Sequence, residues 1–241
     1  MFTFEQYITA SNFFVCQQGI GFVKNHPEIS VCLVAFDKNY YRDTLFTQFS
    51  LPFPNMLESA VIKRRAEYLA GRYAAGQLLK KVGCNGAVAT GTDRAPIWPT
   101  GWQGSISHTD TWAIAILTQH YPSISLGVDI ETFRPELIRE IATRFTTDDE
   151  LDVLIASGIP FEIAILIYFS AKESLFKALY PLVRYKFDFE TAKLCELDSH
   201  NQSFTMELTR QLASNLCTGY RITGHYMISQ DGVITMIVAL V

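Results

Sequence analysis

The sequence predicts a mixed α/β fold of the α+β kind, built as two halves along the chain. Apolar residues at the 3.6-residue period predict a helix from about Glu58 to Val82. A second helical region covers Val153 to Tyr180, and strand-like segments follow each helical region. The order helix, strands, helix, strands indicates an N-terminal half of residues 1–118 and a C-terminal half of residues 119–241.

The first half begins with residues 1–30, whose structure the sequence leaves open. The continuous apolar run Val31–Phe36 has the length of a strand, and Gly83 is placed to end the long helix. Between residues 83 and 104 the density of glycine and proline predicts a fixed, non-helical path, which leads to a strand over Trp112–Leu117.

The second half opens with a strand over residues 125–131. A helix is predicted near Glu136–Phe145, and Thr147 with Glu150 three residues on fits a capping box at the start of the next helix. Residues 158–160, Gly-Ile-Pro, break the helical region. The last sixty residues predict antiparallel strands at 203–208, 220–228 and 233–240, with a hairpin turn at 230–232.

The composition is typical of a soluble globular protein: of 241 residues, 49% are hydrophobic and 18% are charged, with a net charge of −4. The acidic balance argues against nucleic acid as the main partner. The N-terminus lacks a basic region, which argues against a signal peptide, and the most apolar window, Val153–Phe169, is too short and broken to span a membrane. The five cysteines form no CxxC pair, which predicts reduced thiols, no zinc site and a cytoplasmic location.

The strand over residues 125–131 carries the first candidate site. Apolar residues alternate there with Gly127, Asp129 and Glu131, so the two carboxylates share one face of the strand. Isolated burial of two neighbouring carboxylates is costly, and a hard divalent cation such as Mg²⁺ would offset that cost. The alternative is an exposed acidic face on an edge strand.

The helix some forty residues on carries Glu173 and Lys177, which lie four residues apart and therefore on one helix face. Glu173 could supply a third carboxylate, and Lys177 a cation for phosphate. The alternative is a surface ion pair between the two, worth a few tenths of a kcal/mol.

Cationic and polar side chains of the first half form a second candidate group. Arg65 and Arg72 are seven residues apart on one helix face, which could also be a solvated cationic face. Ser107 and His108, at a loop–strand junction, can hydrogen-bond phosphate oxygens, although a lone histidine there is commonly structural.

Four motifs together resemble the 4′-phosphopantetheinyl transferase family, in its larger, monomeric type and closest to the group that serves siderophore and other nonribosomal peptide synthetases. They occur in the order typical of that family and cover roughly residues 58–180: KRRAEYLAGR (63–72), RAPIWPTGWQGSISHT (94–109), GVDIE (127–131) and SAKESLFKAL (170–179).

The resemblance implies two similar α/β halves related by a pseudo-two-fold axis, with the active site at their interface. It implies transfer of phosphopantetheine from coenzyme A to a serine of an apo carrier protein, peptidyl or acyl, with Mg²⁺ as cofactor and adenosine 3′,5′-bisphosphate as product. A monomer is expected, acting on coenzyme A and a carrier protein, with no nucleic-acid or membrane partner.

By motif position, the resemblance implies a role for each candidate residue. Metal ligands would be Asp129 and Glu173, with Glu131 as a ligand or a holder of metal-bound water. Lys177, Ser107 and His108 would contact the phosphate chain, and the 3′-phosphate and adenosine end would fall to Arg65, Arg72 and Arg94.

The general base stays open. A glutamate a few residues after an Arg-Phe pair fills this role in the family, and Glu150 matches it after Arg144-Phe145. Asp149, a metal-bound water or Lys172 are the alternatives, and the helix-cap role of Glu150 competes with catalysis.

Three other functions are compatible with parts of the sequence. A non-catalytic module that binds coenzyme A or a carrier protein would keep the fold without turnover. A Mg²⁺-dependent nucleotide phosphohydrolase would also use three acids and several arginines. An interaction scaffold without a ligand would leave the acidic strand unexplained.

Overall fold

The computed structural model describes residues 1–9, 13–142 and 144–240. The chain divides into two compact units, Met1–His120 and Tyr121–Val241, so the division falls two residues after the boundary predicted from the sequence. Each unit contains a five-stranded antiparallel sheet and a long helix, which makes the fold a mixed α/β fold as predicted.

The strands of the first unit are β1 Phe2–Thr9, β2 Val15–Val23, β3 His26–Phe36, β4 Ala89–Thr90, β5 Pro96–Ile97, β6 Trp102–His108 and β7 Trp112–Gln119. Five of them form a sheet with the order β1-β2-β3-β7-β6, and β4 and β5 pair as a separate two-stranded ribbon. Strands β1 and β2 lie in the region that the sequence left open, and they pair as an antiparallel hairpin.

Helix α2, Ile62–Lys81, packs on this sheet and follows the short helix α1, Thr44–Gln48. Its start lies four residues after the predicted one, because a 3₁₀ turn over Asn55–Leu57 precedes it. Its end agrees with the prediction: Gly83 has φ +72°, and its N–H donates to the carbonyl of Lys80. The core of this unit joins one face of α2 to β3 and β7 through buried alanine, leucine and valine side chains.

The strands of the second unit are β8 Ile124–Thr132, β9 Ala192–Asp198, β10 Ser203–Leu208, β11 Arg221–Ile228 and β12 Gly232–Leu240. They form a sheet with the order β8-β12-β11-β10-β9, with β8 at one edge. Strands β10, β11 and β12 agree closely with the predicted segments, whereas β9 was not predicted. The predicted turn at 230–232 includes Gly232, which the structure places in β12.

Three helices accompany this sheet: α3 Pro135–Ala142, α4 Asp148–Ala156 and α5 Phe161–Val183. Helix α3 ends three residues before the predicted end at Phe145, and residue 143 of that prediction lies outside the described residues. The predicted break between α4 and α5 is present, with Gly158 at φ +71° and Pro160 preceding the first residue of α5. Helix α5 packs across β8 and β12 and forms the centre of this unit.

Across residues 1–9, 13–142 and 144–240, no single helix is long and apolar enough to cross a membrane. Helices α4 and α5 reach that length and composition only as a pair, and they are bent by 120° at the break between them.

Candidate functional site

The acidic strand β8 lies at the edge of its sheet, yet its carboxylate face is covered. Leu126, Val128 and Ile130 are buried, as the alternation predicted. The opposite face, which carries Asp129, is covered by α5, and Asp129 is only 3% exposed. The alternative of an exposed acidic face on an edge strand is therefore wrong for Asp129.

Small residues let β8 approach α5 closely. A Cβ atom added to Gly127 would lie 1.9 Å from the carbonyl oxygen of Ser174 and 2.8 Å from the backbone nitrogen of Ala178. The Ser125 hydroxyl donates a hydrogen bond to the carbonyl of Ala178 one turn further along the helix. Glycine is therefore required at position 127, because any side chain there would displace the helix that carries Glu173 and Lys177.

Lys177 connects the two motifs directly. Its Nζ donates to Asp129 Oδ1 at 2.7 Å and to the carbonyl of Val128 at 3.2 Å. The lysine is thus paired with the acidic strand across the α5–β8 contact, in an environment that shields it partly from water. The alternative of a surface ion pair between Glu173 and Lys177 does not account for the hydrogen bond from Lys177 to Asp129.

The three carboxylates share one desolvated environment. The pKa of Glu131 is raised to about 8, chiefly by burial and then by the charge of Asp129, with a smaller rise from Glu173 and opposing effects of Lys177 and Arg134. Burial likewise raises the pKa of Glu173, with a further contribution from the charge of Asp129. One lysine therefore compensates part of the negative charge of three neighbouring acids, and a cation would stabilise all three in their charged form.

The oxygen donors of this cluster fit a hard divalent cation in chemistry and in charge. They are not arranged as a finished coordination shell, since no group of three His, Cys, Asp or Glu side chains within the described part of the chain is positioned to hold an ion. Lys177 holds Asp129 in the structure instead.

Buried hydroxyl groups surround Asp129 on the α5 side. Ser170 Oγ donates to Asp129 Oδ2 at 2.8 Å and lies 2.9 Å from Thr235 Oγ1, which is itself 2.7 Å from Ser174 Oγ. Thr235 faces Asp129 across the β8–β12 pairing. The sequence prediction did not include these three hydroxyls, and the only local signal was the serine spacing of four within the SAKES motif.

Glu150 forms the predicted capping box of α4 and is otherwise fully engaged. Its Oε2 accepts from the N–H and the hydroxyl of Thr147. Its Oε1 accepts from the hydroxyl of Tyr168 and from the N–H of Leu194 at 3.1 Å. The side chain is buried, and Lys172 Nζ lies 3.7 Å from Oε1. These contacts favour the structural role of Glu150 over that of a base.

Lys172, an alternative base, is also held by the backbone. Its Nζ donates to the carbonyls of Phe189 and Ala192 at 2.6 and 2.8 Å, and it lies 4.6 Å from the centre of the Tyr168 ring. Burial lowers the pKa of this lysine, while the charge of Glu150 raises it. Glu150 and Lys172 together join α4, α5 and the start of β9.

In the first unit, His108 at the end of β6 contacts a residue that the sequence prediction left out of the site. Arg64 Nη1 lies 2.9 Å from His108 Nε2. Arginine only donates, so Nε2 is the acceptor and the imidazole proton lies on Nδ1, which is 3.8 Å from Glu67 Oε2. Ser107 precedes this histidine and is buried.

The three arginines predicted for the adenosine end differ in setting. Arg65 is engaged with the loop before α2: it pairs with Asp43 and donates to the carbonyls of Glu58 and Ala60. Arg94 is exposed in the turn between β4 and β5, at φ +69°.

Arg72 is only 8% exposed and lies 4.7 Å from the ring centre of Tyr68. Its Nη2 donates to Thr90 Oγ1 at 2.9 Å, and burial lowers the pKa of the guanidinium. Among the described residues, its Nε has no hydrogen-bond partner. An anion at this position would relieve the cost of the buried charge.

Two protein-family models match the chain. The 4′-phosphopantetheinyl transferase N-terminal domain matches residues 53–118, and the 4′-phosphopantetheinyl transferase superfamily matches residues 125–229. The chain is also 39% identical over 168 residues to enterobactin synthase component D of Salmonella typhimurium, which is 68% of each chain. This chain belongs to the 4′-phosphopantetheinyl transferase superfamily.

Other relatives agree with this assignment. Enterobactin synthase component D of Salmonella typhi is 39% identical over 150 residues, 62% of each chain. The 4′-phosphopantetheinyl transferase Svp of Streptomyces mobaraensis is 32% identical over 180 residues, 72% of each chain. The chain thus spans 62% and 68% of the length of these two enterobactin synthase relatives.

The residues matched by the two family models include most of the candidate site residues. The matched ranges 53–118 and 125–229 contain both the cationic group around His108 and the acidic cluster around Asp129. Thr235, which completes the hydroxyl group behind Asp129, lies beyond both ranges.

Proposed function

We propose that this protein transfers the 4′-phosphopantetheine group of coenzyme A to a serine hydroxyl of an apo carrier protein. The observation that carries the proposal is the α5–β8 contact, which brings Asp129, Glu131 and Glu173 together beside Lys177. Membership of the superfamily and the names of the relatives support the same activity. Because two relatives are enterobactin synthase components, the proposed carriers are those of siderophore or other nonribosomal peptide synthesis.

In this reaction the serine Oγ forms a bond to the β-phosphorus of coenzyme A, and the bond from that phosphorus to the bridging oxygen breaks. The serine gives up its proton, and adenosine 3′,5′-bisphosphate leaves. Negative charge grows on the leaving oxygen, so the reaction requires cationic groups placed beside the pyrophosphate.

Asp129, Glu131 and Glu173 would hold the magnesium ion, whose chemical contribution when bound is to neutralise charge on the pyrophosphate. Lys177 already lies 2.7 Å from Asp129, and we propose that its ammonium group binds a phosphate oxygen of the substrate. The short α5–β8 distance at Gly127 fixes these groups before the substrate binds.

We propose that residues of the first unit bind the rest of coenzyme A. Ser107 and His108 would contact phosphate, with Arg64 beside the histidine. Arg72 is the strongest candidate for the 3′-phosphate, because it is buried and its Nε has no partner among the described residues. Arg94 is exposed in the turn between β4 and β5, and Arg65 is engaged with Asp43, so their contacts with coenzyme A remain predictions.

The proton acceptor has no assigned residue. Glu150 and Lys172 both make a full set of structural contacts, which leaves Asp149 and a metal-bound water as the candidates with fewer constraints. A cytoplasmic location and a monomeric state likewise remain predictions from the sequence.

The experiment that tests this function measures release of adenosine 3′,5′-bisphosphate from coenzyme A, with and without an apo peptidyl carrier protein. Carrier transfer predicts release only when the apo carrier is present, in a one-to-one ratio with modified serine. Release without a carrier would support a phosphohydrolase instead. No release with either a peptidyl or an acyl carrier, while coenzyme A still binds, would support a non-catalytic module.

A further inference from the structure

Three buried hydroxyl groups form a continuous chain that ends on Asp129. They belong to Ser174 and Ser170 of α5 and to Thr235 of β12, and each of the three residues is fully buried. The successive oxygen–oxygen distances are 2.7 Å from Ser174 to Thr235 and 2.9 Å from Thr235 to Ser170. The last step, from Ser170 Oγ to Asp129 Oδ2, is 2.8 Å.

The directions of the two hydrogen bonds nearest to Asp129 follow from counting protons. An ionised carboxylate only accepts, so Ser170 must use its single hydroxyl proton on Asp129 Oδ2. Thr235 must then be the donor to Ser170. Ser174 Oγ lies 2.7 Å from Thr235 Oγ1 and also donates to the backbone carbonyl of Thr235 at 3.1 Å, so both contacts hold it against β12.

The hydroxyl protons of Ser170 and Thr235 therefore both point toward Asp129. Aligned hydroxyl groups polarise one another, which strengthens the last bond to the carboxylate beyond what an isolated serine would provide. Because the three hydroxyl groups lie between a helix and two paired strands, they also hold the Asp129 carboxylate in one orientation.

We propose that Ser170, Thr235 and Ser174 are positioning residues that hold the Asp129 carboxylate in the orientation in which it would ligate the metal ion. This inference rests on the metal site of the proposed function. The chain supports Asp129 Oδ2, whereas Lys177 contacts Oδ1. The two oxygens of the carboxylate thus have separate partners: Oδ2 contacts the buried hydroxyl groups, and Oδ1 contacts the ammonium group of Lys177.

The position of Thr235 accounts for its role. In the antiparallel pairing of β8 with β12, Thr235 is directly opposite Asp129 and therefore on the same face of the sheet. Its neighbours on that face of β12, Val233 and Ile237, are apolar and belong to the core. A single hydroxyl at this position of an otherwise apolar face is explained by its two serine partners and, through them, by Asp129.

The test measures the affinity of the protein for Mn²⁺, used as the probe ion, by electron paramagnetic resonance of the free ion in the absence of coenzyme A. Thr235→Val removes the central hydroxyl with little change in volume, and we expect binding to weaken roughly tenfold or more, as for other groups that support a metal ligand. Thr235→Ser keeps the hydroxyl and should restore an affinity close to that of the wild type.

Two further variants make the test independent of any folding defect in Thr235→Val. Ser170→Ala removes the hydroxyl that touches Asp129, and Ser174→Ala removes the one farthest from it. The proposal predicts that Ser170→Ala weakens Mn²⁺ binding more than Ser174→Ala does. A structural role would instead make the loss of affinity follow the loss of melting temperature.

The matched control is Thr191→Val in the same unit. Thr191 is also buried, and its hydroxyl donates to Asp188 Oδ1 at 3.0 Å. This variant should lower the melting temperature while leaving Mn²⁺ affinity and the Mg²⁺ concentration for half-maximal transfer unchanged.

Equal Mn²⁺ affinity of the wild type, Thr235→Val and Ser170→Ala would overturn the proposal and leave the proposed function intact. A wild-type protein that transfers phosphopantetheine but binds no Mn²⁺ would overturn the proposal together with the metal site. Absence of transfer combined with normal metal binding in the wild type and weakened binding in the variants would support the hydroxyl chain while rejecting the proposed reaction.

Discussion

Gly127→Ala is the substitution for which the structure gives the clearest expectation. The new Cβ would lie 1.9 Å from the carbonyl oxygen of Ser174, and real Cβ atoms essentially never approach closer than 3.0 Å. Strand and helix must therefore separate by at least about 1.1 Å, the difference between these two distances, at this contact. The same separation would lengthen the 2.8 Å hydrogen bond from Ser170 to Asp129 beyond the range of a hydrogen bond.

The expected loss of stability has two contributions. Overpacking a well-packed contact costs about 1–3 kcal/mol, and each hydrogen bond lost contributes about 1 kcal/mol. We therefore expect the free energy of unfolding to fall by about 3 kcal/mol. Because a typical domain is stable by roughly 5–15 kcal/mol, the variant should still fold and can be assayed.

The assay is urea unfolding followed by far-ultraviolet circular dichroism. Circular dichroism reports on both units, whereas Trp98, Trp102 and Trp112 all lie in the first unit and Gly127 lies in the second. The control is Gly76→Ala in α2, where nothing lies within 4 Å of the added Cβ. That control should gain about 0.5–1 kcal/mol from better helix propensity. A Gly127→Ala protein as stable as the wild type, with unchanged transfer rate, would refute the close-approach argument.

Three further predictions follow from individual side chains. The pKa of Glu131 is raised to about 8 in the folded, metal-free protein, so between a pH of about 4.5 and 8 the folded protein binds more protons than the unfolded chain and its stability falls as pH rises. Glu131→Gln should flatten this fall in melting temperatures measured in EDTA, and an unchanged slope would contradict the prediction. Arg64→Gln should raise KM for coenzyme A by about tenfold with a smaller effect on kcat, because the guanidinium that contacts His108 is lost. If initial-rate measurements give the wild-type KM, Arg64 does not belong to the site. Glu150→Gln should lower the free energy of unfolding, measured in urea, by about 2–3 kcal/mol, because the Glu150 carboxylate accepts a hydrogen bond from Tyr168 and caps α4. The pH profile of transfer should stay unchanged, whereas a sharp fall in kcat at unchanged stability would support Glu150 as the base.

Local periodicity was sufficient to predict the elements that carry the acidic cluster. Alternation at residues 125–131 gave β8, and the spacing of Glu173 and Lys177 placed both on one face of α5. Capping chemistry gave the start of α4, because the hydrogen bonds between Thr147 and Glu150 are local in sequence.

The contacts around the cluster could not be predicted, because they depend on pairing between distant segments. Thr235 contacts Ser170 across 65 residues, and only the register of β8 with β12 places it opposite Asp129. The pairing of Arg64 with His108 spans 44 residues and depends on how α2 packs on its sheet. The hairpin of β1 and β2 was left open, because β1 is largely exposed and the glycines and glutamines of β2 interrupt its apolar alternation.

The central claim is that the chain catalyses phosphopantetheine transfer and that its acidic cluster supports a metal-dependent step. The most direct measurement is the intact mass of an apo peptidyl carrier protein after incubation with this protein, coenzyme A and Mg²⁺, with a parallel sample in EDTA. We predict a gain of one phosphopantetheine group that EDTA abolishes. An unchanged mass for both peptidyl and acyl carriers, under conditions in which coenzyme A binds, would contradict the proposed function.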